Sequence, residues 1–157
     1  IRIGLVGEPE IQEKRPENIF NKNNIIRDGS DVAIFSTGPI IAEVLAAAEL
    51  LQDCGVGAKV INVNKIKPFH KESLIDICYG MPNIVSVEEH NVHGGLGSII
   101  ADIMVQEKID VELSKIGLQD CFAVGYGSQH DVQKQNGLDR VSISESILGV
   151  LKRSKYA

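Results

Sequence analysis

The chain reads as an α/β protein: a doubly wound, mostly parallel open sheet of about five strands, with helices on both faces. Three observations predict this class. Short, continuous apolar runs rich in Val and Ile have the form of strands buried on both faces. Between them lie stretches whose apolar residues recur at helical spacing. Glycine, proline and an Asp-Gly pair mark the boundaries. A strand, a helix and the next strand of one sheet make a right-handed crossover, so the alternation points to a single sheet covered on both sides.

The elements follow in order along the sequence. IRIG at 1–4 is strand-like but has no hairpin partner, and LVGEPEIQEKRPENIFNKNN at 5–24 has the polar, Pro-containing make-up of a linker. Residues 19–27 could add an edge strand, free to run antiparallel. After the turn pair Asp28-Gly29, VAIFSTG at 32–38 is a buried parallel strand ended by Gly38. Ser36 or Thr37 is expected to cap the helix in PIIAEVLAAAELLQDCG, where Ile40, Val44, Ala48 and Leu51 share a face and Gly55 stops the run. KVINVNKI at 59–66 is the next strand, ending before Pro68, and a short helix from about Lys71 to Cys78 turns Leu74, Ile75 and Cys78 inward. NIVSVEEH at 83–90 is a strand, and LGSIIADIMVQEK is a helix with Leu96, Ile99, Ile100, Ile103 and Met104 apolar. VELSKIG at 111–117 is the last strand. SQHDVQKQNG predicts a short helix ended by Gly137. SISESILGVLKR predicts a final one, capped by Ser142 or Ser144 and burying Ile147, Leu148 and Leu151.

Composition narrows the function classes. At 157 residues the chain suits one domain of ordinary size. With four Phe, three Tyr and no Trp, the core must be built from Ile, Leu, Val and Ala. The net charge of −5, with no basic block to offset it, disfavours nucleic acid and anionic membrane as partners. No apolar run reaches the ~20 residues of a membrane span, and no leader is visible. Cys54, Cys78 and Cys121 form no ligand pattern, which predicts reduced thiols buried as small hydrophobes and a cytoplasmic setting. The chain starts at Ile1 without Met, so its N-terminus is expected to come from processing or from cutting a longer protein.

The chemistry-bearing residues concentrate in VEEHNVHGGLGS, residues 87–98, between a strand and a helix. In an open α/β sheet, ligands bind at the carboxyl ends of the strands, so Gly38, Lys67, Glu88 to Gly97 and Asp120 should gather on one edge. A helix starting near Leu96 offers N–H groups and partial positive charge to an anion. Gly95-x-Gly97 nevertheless lacks the third glycine of a dinucleotide fingerprint, and the glycines equally suit a sharp turn and close helix–sheet packing. Glu88 and Glu89 are adjacent in a strand and point to opposite faces, so they cannot act together on one substrate. One can sit on the helix N-terminus while the other is solvated or pairs across an interface. His90 and His93 can shuttle protons or simply line a polar loop. The order of a HExxH zinc site is absent, and GLGSI around Ser98 is not a nucleophile elbow. His70 and His130 are isolated. Glu88, Glu89, His90, His93, Gly94, Gly95, Gly97 and Ser98 are therefore candidates for a domain-interface or anion loop, with no catalytic, cofactor-binding or metal-binding residue assigned.

The order of motifs carries a resemblance. DGSDVAIFSTGPIIAEVLAAAELLQDCGVGAKVINVNKIKPF, then VSVEEHNVHGGLGSIIADIM, then KIGLQDCFAVGYGSQHDVQKQNGLD resembles the C-terminal domain of transketolase-like enzymes that use thiamine diphosphate. The likeness covers roughly residues 19–151, and EEHNVHGGLGS is most similar to the C-terminal section of split transketolases. Deoxyxylulose-phosphate synthase and the β subunits of 2-oxoacid dehydrogenases are similar relatives. The resemblance implies that residues 1–18 are the tail of a preceding pyrimidine-binding domain plus a linker, and that 19–157 form the C-terminal domain. It implies that residues 1 to about 15 are mobile or bound to a neighbouring copy. In such enzymes a GDG motif with a later Asn holds the diphosphate and its Mg, and a glutamate of the pyrimidine domain activates the cofactor. This chain has DGSD but no GDG.

The expectation is an assembly and dimerisation domain of a transketolase-type enzyme, binding no thiamine diphosphate and inactive alone. Its partners would be the pyrimidine- and diphosphate-binding domains or subunit of the same enzyme. The alternative from another class is a stand-alone anion- or nucleotide-binding module.

Overall fold

The structure is a computed structural model that describes residues 9–12, 23–122 and 126–154. The strand expected at 1–4 and the mobility expected of residues 1 to about 15 fall largely outside the described residues.

Five strands form one sheet in the order β1-β3-β2-β4-β5. They are β1 (Asn24–Arg27), β2 (Val32–Thr37), β3 (Ala58–Asn62), β4 (Asn83–Asn91) and β5 (Glu112–Leu118). Every pairing is parallel except β1 with β3, so the edge strand does run antiparallel. The helices are α1 (Ile41–Asp53), α2 (Lys71–Tyr79), α3 (Leu96–Gln106), α4 (Gln129–Gln135) and α5 (Arg140–Ser154). Among the described residues, no helix is long and apolar enough to cross a membrane.

Alternation along the strands feeds two cores. Val32 and Ile34 of β2, with Val85 and Val87 of β4, meet Val44, Ala48 and Leu51 of α1 and Ile143 and Ile147 of α5. Ala33 and Phe35 of β2 and Ile84 of β4 face the other way, onto Leu74 and Cys78 of α2 and Leu96, Ile100 and Met104 of α3. Each fully buried Ile, Leu or Val contributes about 1.5–3 kcal/mol, which is why apolar residues at every position of a central strand specify this layered arrangement.

Several local expectations are corrected. The strand expected over 59–66 ends at Asn62. Neither Ser36 nor Thr37 caps α1: Thr37 Oγ1 donates to the Val63 carbonyl at 2.8 Å, tying the end of β2 to the chain leaving β3. The first N–H groups of α1, on Ile41 and Ala42, instead bond Gly38 O and Pro39 O at 3.2 and 3.3 Å. For α5 the cap is Asp139, not Ser142 or Ser144; its carboxylate accepts from Val141 N, Ser142 N and Ser142 Oγ at 3.1, 3.3 and 2.6 Å. Ile75, Ile99, Ile103, Leu148 and Leu151 are half-buried, because they stand at the margins of their helix faces. Cys78 is buried as expected, whereas Cys54 and Cys121 are exposed, one just past the end of α1 and one in the loop after β5. Burial pushes the Cys78 thiol up to about 11.

Candidate functional site

β2, β3 and β4 end side by side at the carboxyl edge, and the chain leaving them surrounds a cleft of about 1250 Å³. Its walls include Gly38 and Pro39 before α1, Asn64 and Lys67 after β3, and Glu88 and His90 at the end of β4. Glu89, Gly94 and Gly95 also border it. Of the residues expected on this edge, Asp120 does not reach the cleft; its carboxylate lies 3.5 Å from Asn91 Nδ2.

The loop is shaped by an irregularity in the sheet. Val87 pairs with Ile116 and Asn91 with Leu118, so Glu88 to His90 bulge out of the β4–β5 ladder. Glycine makes the bulge possible, since a Cβ on Gly117 would come within 2.8 Å of the His90 carbonyl.

Glu88 is the buried member of the carboxylate pair, only 2% exposed. Its Oε2 accepts from Leu96 N at 2.7 Å and its Oε1 from Gly97 N at 2.9 Å. The side chain of one strand thereby supplies the anion that the N-terminus of α3 attracts. Gly95 is required here because a Cβ would fall on the Glu88 carboxylate. Gly97 faces the sheet, where a Cβ would meet Ser86 Oγ and approach the Lys115 side chain to 2.9 Å. Gly94 turns the chain at φ +81.

Glu89 points away from Glu88, onto α4. Its carboxylate accepts from Gln129 Nε2 at 3.0 and 3.3 Å and from Gln133 Nε2 at 2.6 Å. Helix α4 begins at Ser128, which forms a capping box with Asp131, and Ser128's hydrogen bonds hold the Asp131 carboxyl below its ordinary range. His90 and His93 are exposed; His90 Nδ1 donates to the Asn91 carbonyl at 2.8 Å, and His93 N donates to Asn91 Oδ1 at 2.8 Å. Ser98 Oγ accepts from Gly94 N at 2.9 Å, with Lys115 Nζ at 3.4 Å. Its neighbours are loop-holding groups, not a general base. Among the described residues no three His, Cys, Asp or Glu side chains gather where they could hold a metal ion.

The N-terminus of α3 is not open to an outside anion, since Glu88 occupies the N–H groups of Leu96 and Gly97. Position 88 or 89 on the helix end was legible from alternation, but Gln129 and Gln133, 40 and 44 residues from Glu89, carry no signal in the sequence that links them to it. Asn64, in the cleft wall, was likewise invisible as a site residue.

Residues 21–143 match the family model described as transketolase, C-terminal domain. The chain is 38% identical over 158 residues to the 6-deoxy-6-sulfo-D-fructose transketolase subunit SqwH of Clostridium sp. (strain MSTE9), covering 99% of this chain and 48% of that protein. It is 30% identical over 145 residues to the 1-deoxy-D-xylulose-5-phosphate synthase of Caldanaerobacter subterraneus subsp. tengcongensis, covering 92% of this chain and 23% of that one. Among solved structures, a split gene transketolase described as an inactive beta4 tetramer superposes with a TM-score of 0.81 at 28% identity, over 93% of this chain and 47% of the other. The chain thus spans half or less of the length of these relatives. The match over residues 21–143 decides the matter: the chain belongs to the transketolase C-terminal domain family.

Proposed function

We propose that this chain is the C-terminal, assembly-supporting part of one subunit of a divided transketolase-type enzyme. That enzyme would transfer two-carbon ketol units between sugar phosphates. The observation that carries the reading is the match over residues 21–143, joined to relatives about twice as long that are named as transketolase subunits. Residues 1–18 are then the tail of the preceding domain and its linker, and the longer subunit pairs with a second copy and with the subunit that binds the diphosphate.

The full enzyme would use thiamine diphosphate and a divalent cation such as Mg, which supply the carbanion chemistry when bound. The described residues do not fit that group: they offer no cluster of metal ligands, and the sequence has no GDG. The two carboxylates of the carboxyl edge are engaged in holding structure, Glu88 on α3 and Glu89 on α4. No step of the reaction is therefore assigned to this chain. A second reading, a deoxyxylulose-phosphate synthase, is favoured by the 30% identical relative of that name.

Two measurements test the proposal. The longer subunit, mixed with its companion, thiamine diphosphate and Mg, should transfer a ketol unit from a ketose phosphate to an aldose phosphate. Calorimetry on residues 1–157 alone should detect no thiamine diphosphate binding; stoichiometric binding there would overturn the assignment.

A further inference from the structure

Asn136-Gly137 is the one asparagine–glycine pair in the chain. Glycine has no Cβ to shield its backbone nitrogen, so that nitrogen can reach the side-chain amide carbon of the asparagine before it. The pair closes α4. Gly137 is left-handed at φ +69, and a Schellman motif surrounds it: Gly137 N donates to the Lys134 carbonyl at 3.2 Å, and Leu138 N to the Gln133 carbonyl at 2.8 Å. Asn136 Nδ2 donates back to the Val132 carbonyl at 2.7 Å. The nitrogen that would attack and the amide that would leave are therefore both tied into the last turn, and they can react only when that turn opens.

The turn is weakly held. Asn136 and Gly137 are half-buried, and α4 buries none of its seven residues. What keeps it closed is polar, the Ser128–Asp131 box at one end and the Glu89 carboxylate on Gln129 and Gln133. An element of this kind opens at a lower free energy than the core strands unfold. We propose that Asn136 is a site of spontaneous covalent modification gated by the opening of α4. In the open turn hydroxide takes the Gly137 amide proton, and the nitrogen attacks Asn136 Cγ. The N–Cγ bond forms, the Cγ–Nδ2 bond breaks, and ammonia leaves with a proton from water, which restores the hydroxide. Water then opens the cyclic imide. Cleavage of the new N–Cγ bond leaves aspartate. Cleavage of the original bond between Gly137 N and the Asn136 carbonyl carbon leaves isoaspartate, with the main chain running through Cγ. A water is consumed, an ammonia is released, and nothing is oxidised or reduced.

Both products set a carboxylate against the negative end of α4 and delete the donor to Val132. Isoaspartate also lengthens the main chain just before buried Leu138 and before Asp139, the cap of α5. The reaction thus favours the open form of α4 and does not reverse, so the site records the age of the molecule.

The test follows the modification in the full-length polypeptide that carries this chain, kept folded at mildly alkaline pH. Trypsin cuts after Lys134 and Arg140 and releases a peptide whose only asparagine is Asn136. Mass spectrometry reads acid in place of amide, and chromatography separates the aspartyl and isoaspartyl forms. Both should accumulate, more slowly than in the same protein unfolded by denaturant. Glu89→Ala should speed the reaction about ten-fold, in step with the opening of α4. Gln133→Ala deletes part of the same contact from the helix side and should act in the same direction. Ile100→Val loosens the core on the opposite face of the sheet and should leave the rate within about two-fold, because global unfolding is not the route. An amide still intact when the unfolded protein is fully converted, rates unmoved by Glu89→Ala and Gln133→Ala, or equal acceleration by Ile100→Val would each overturn the proposal.

Discussion

Glu88 shows how a buried carboxylate is tolerated at the residue scale. Its charge faces two backbone N–H groups and the positive end of α3, so its desolvation is offset by charge-assisted hydrogen bonds. Glu88→Ala should lower the unfolding free energy by about 2 kcal/mol, since two buried N–H groups lose their acceptor. Gly95→Ala should cost about 1–3 kcal/mol by driving the carboxylate off the helix end. The two losses should not add: once Glu88 is truncated, the methyl group at 95 has space, and Gly95→Ala should cost less than about 1 kcal/mol. Urea unfolding of both single variants and the double variant checks this, and additive losses would mean that Gly95 serves something other than Glu88. Alternation showed that one glutamate of the pair could reach the helix end. Which one depended on the side of the sheet that α3 covers, and that is a property of the crossover.

At the scale of elements, α4 is the clearest case of an element held by polar contacts. It has seven residues and none is buried, so apolar packing does not fix it. Its capping box stabilises the first turn, and Glu89 anchors Gln129 and Gln133 to the edge of β4. Glu89→Ala should raise amide exchange rates in Gln129–Gln135 by about ten-fold while leaving α3 and β4 protected; unchanged α4 rates would show that the chain ends alone hold it. The expected serine caps failed at this scale for a common reason. Ser and Thr near a helix start compete with nearby alternatives, and here Thr37 serves the β2–β3 junction while Asp139 lies closer to the true first turn of α5.

At the scale of the whole molecule, α1 and α5 pack together on one face of the sheet and are locked by Glu43 and Arg140, 97 residues apart. Glu43 Oε2 accepts from Arg140 N at 2.8 Å and from Nε at 3.2 Å, and Oε1 accepts from Nη2 at 2.9 Å. Burial acts to raise the Glu43 carboxyl, but the hydrogen bonds and charge of Arg140 outweigh it and bring it below the ordinary 4.5. A carboxylate whose folded pKa is depressed contributes fully above the unfolded value, and the contribution is lost as the pH falls through the folded one. Wild type should therefore exceed Glu43→Gln in stability by on the order of 1 kcal/mol at neutral pH, a modest figure because solvent screens the half-exposed Arg140. Denaturant unfolding from pH 7 to pH 3 should show this gap steady down to about 4.5 and closing below it. A gap that widens on acidification would contradict the pairing.

Much of the architecture was decided by the sequence acting locally. The apolar runs of β2 and β4, the spacing of Val44, Ala48 and Leu51, and the Gly and Pro punctuation specify strands and helices through burial and backbone preference, which act over a few residues. With the handedness of crossovers, that suffices for the sheet and for the edge on which Glu88 to Gly97 stand. Only the tertiary structure decided what those residues do. Glu88 closes the helix end, Gln129 and Gln133 come to Glu89, Arg140 comes to Glu43, and Pro9 lies in the cleft beside Asn64. These partners are far apart along the chain, and their polar contacts depend on distances of a few ångströms that residue pattern does not encode until the layers have packed.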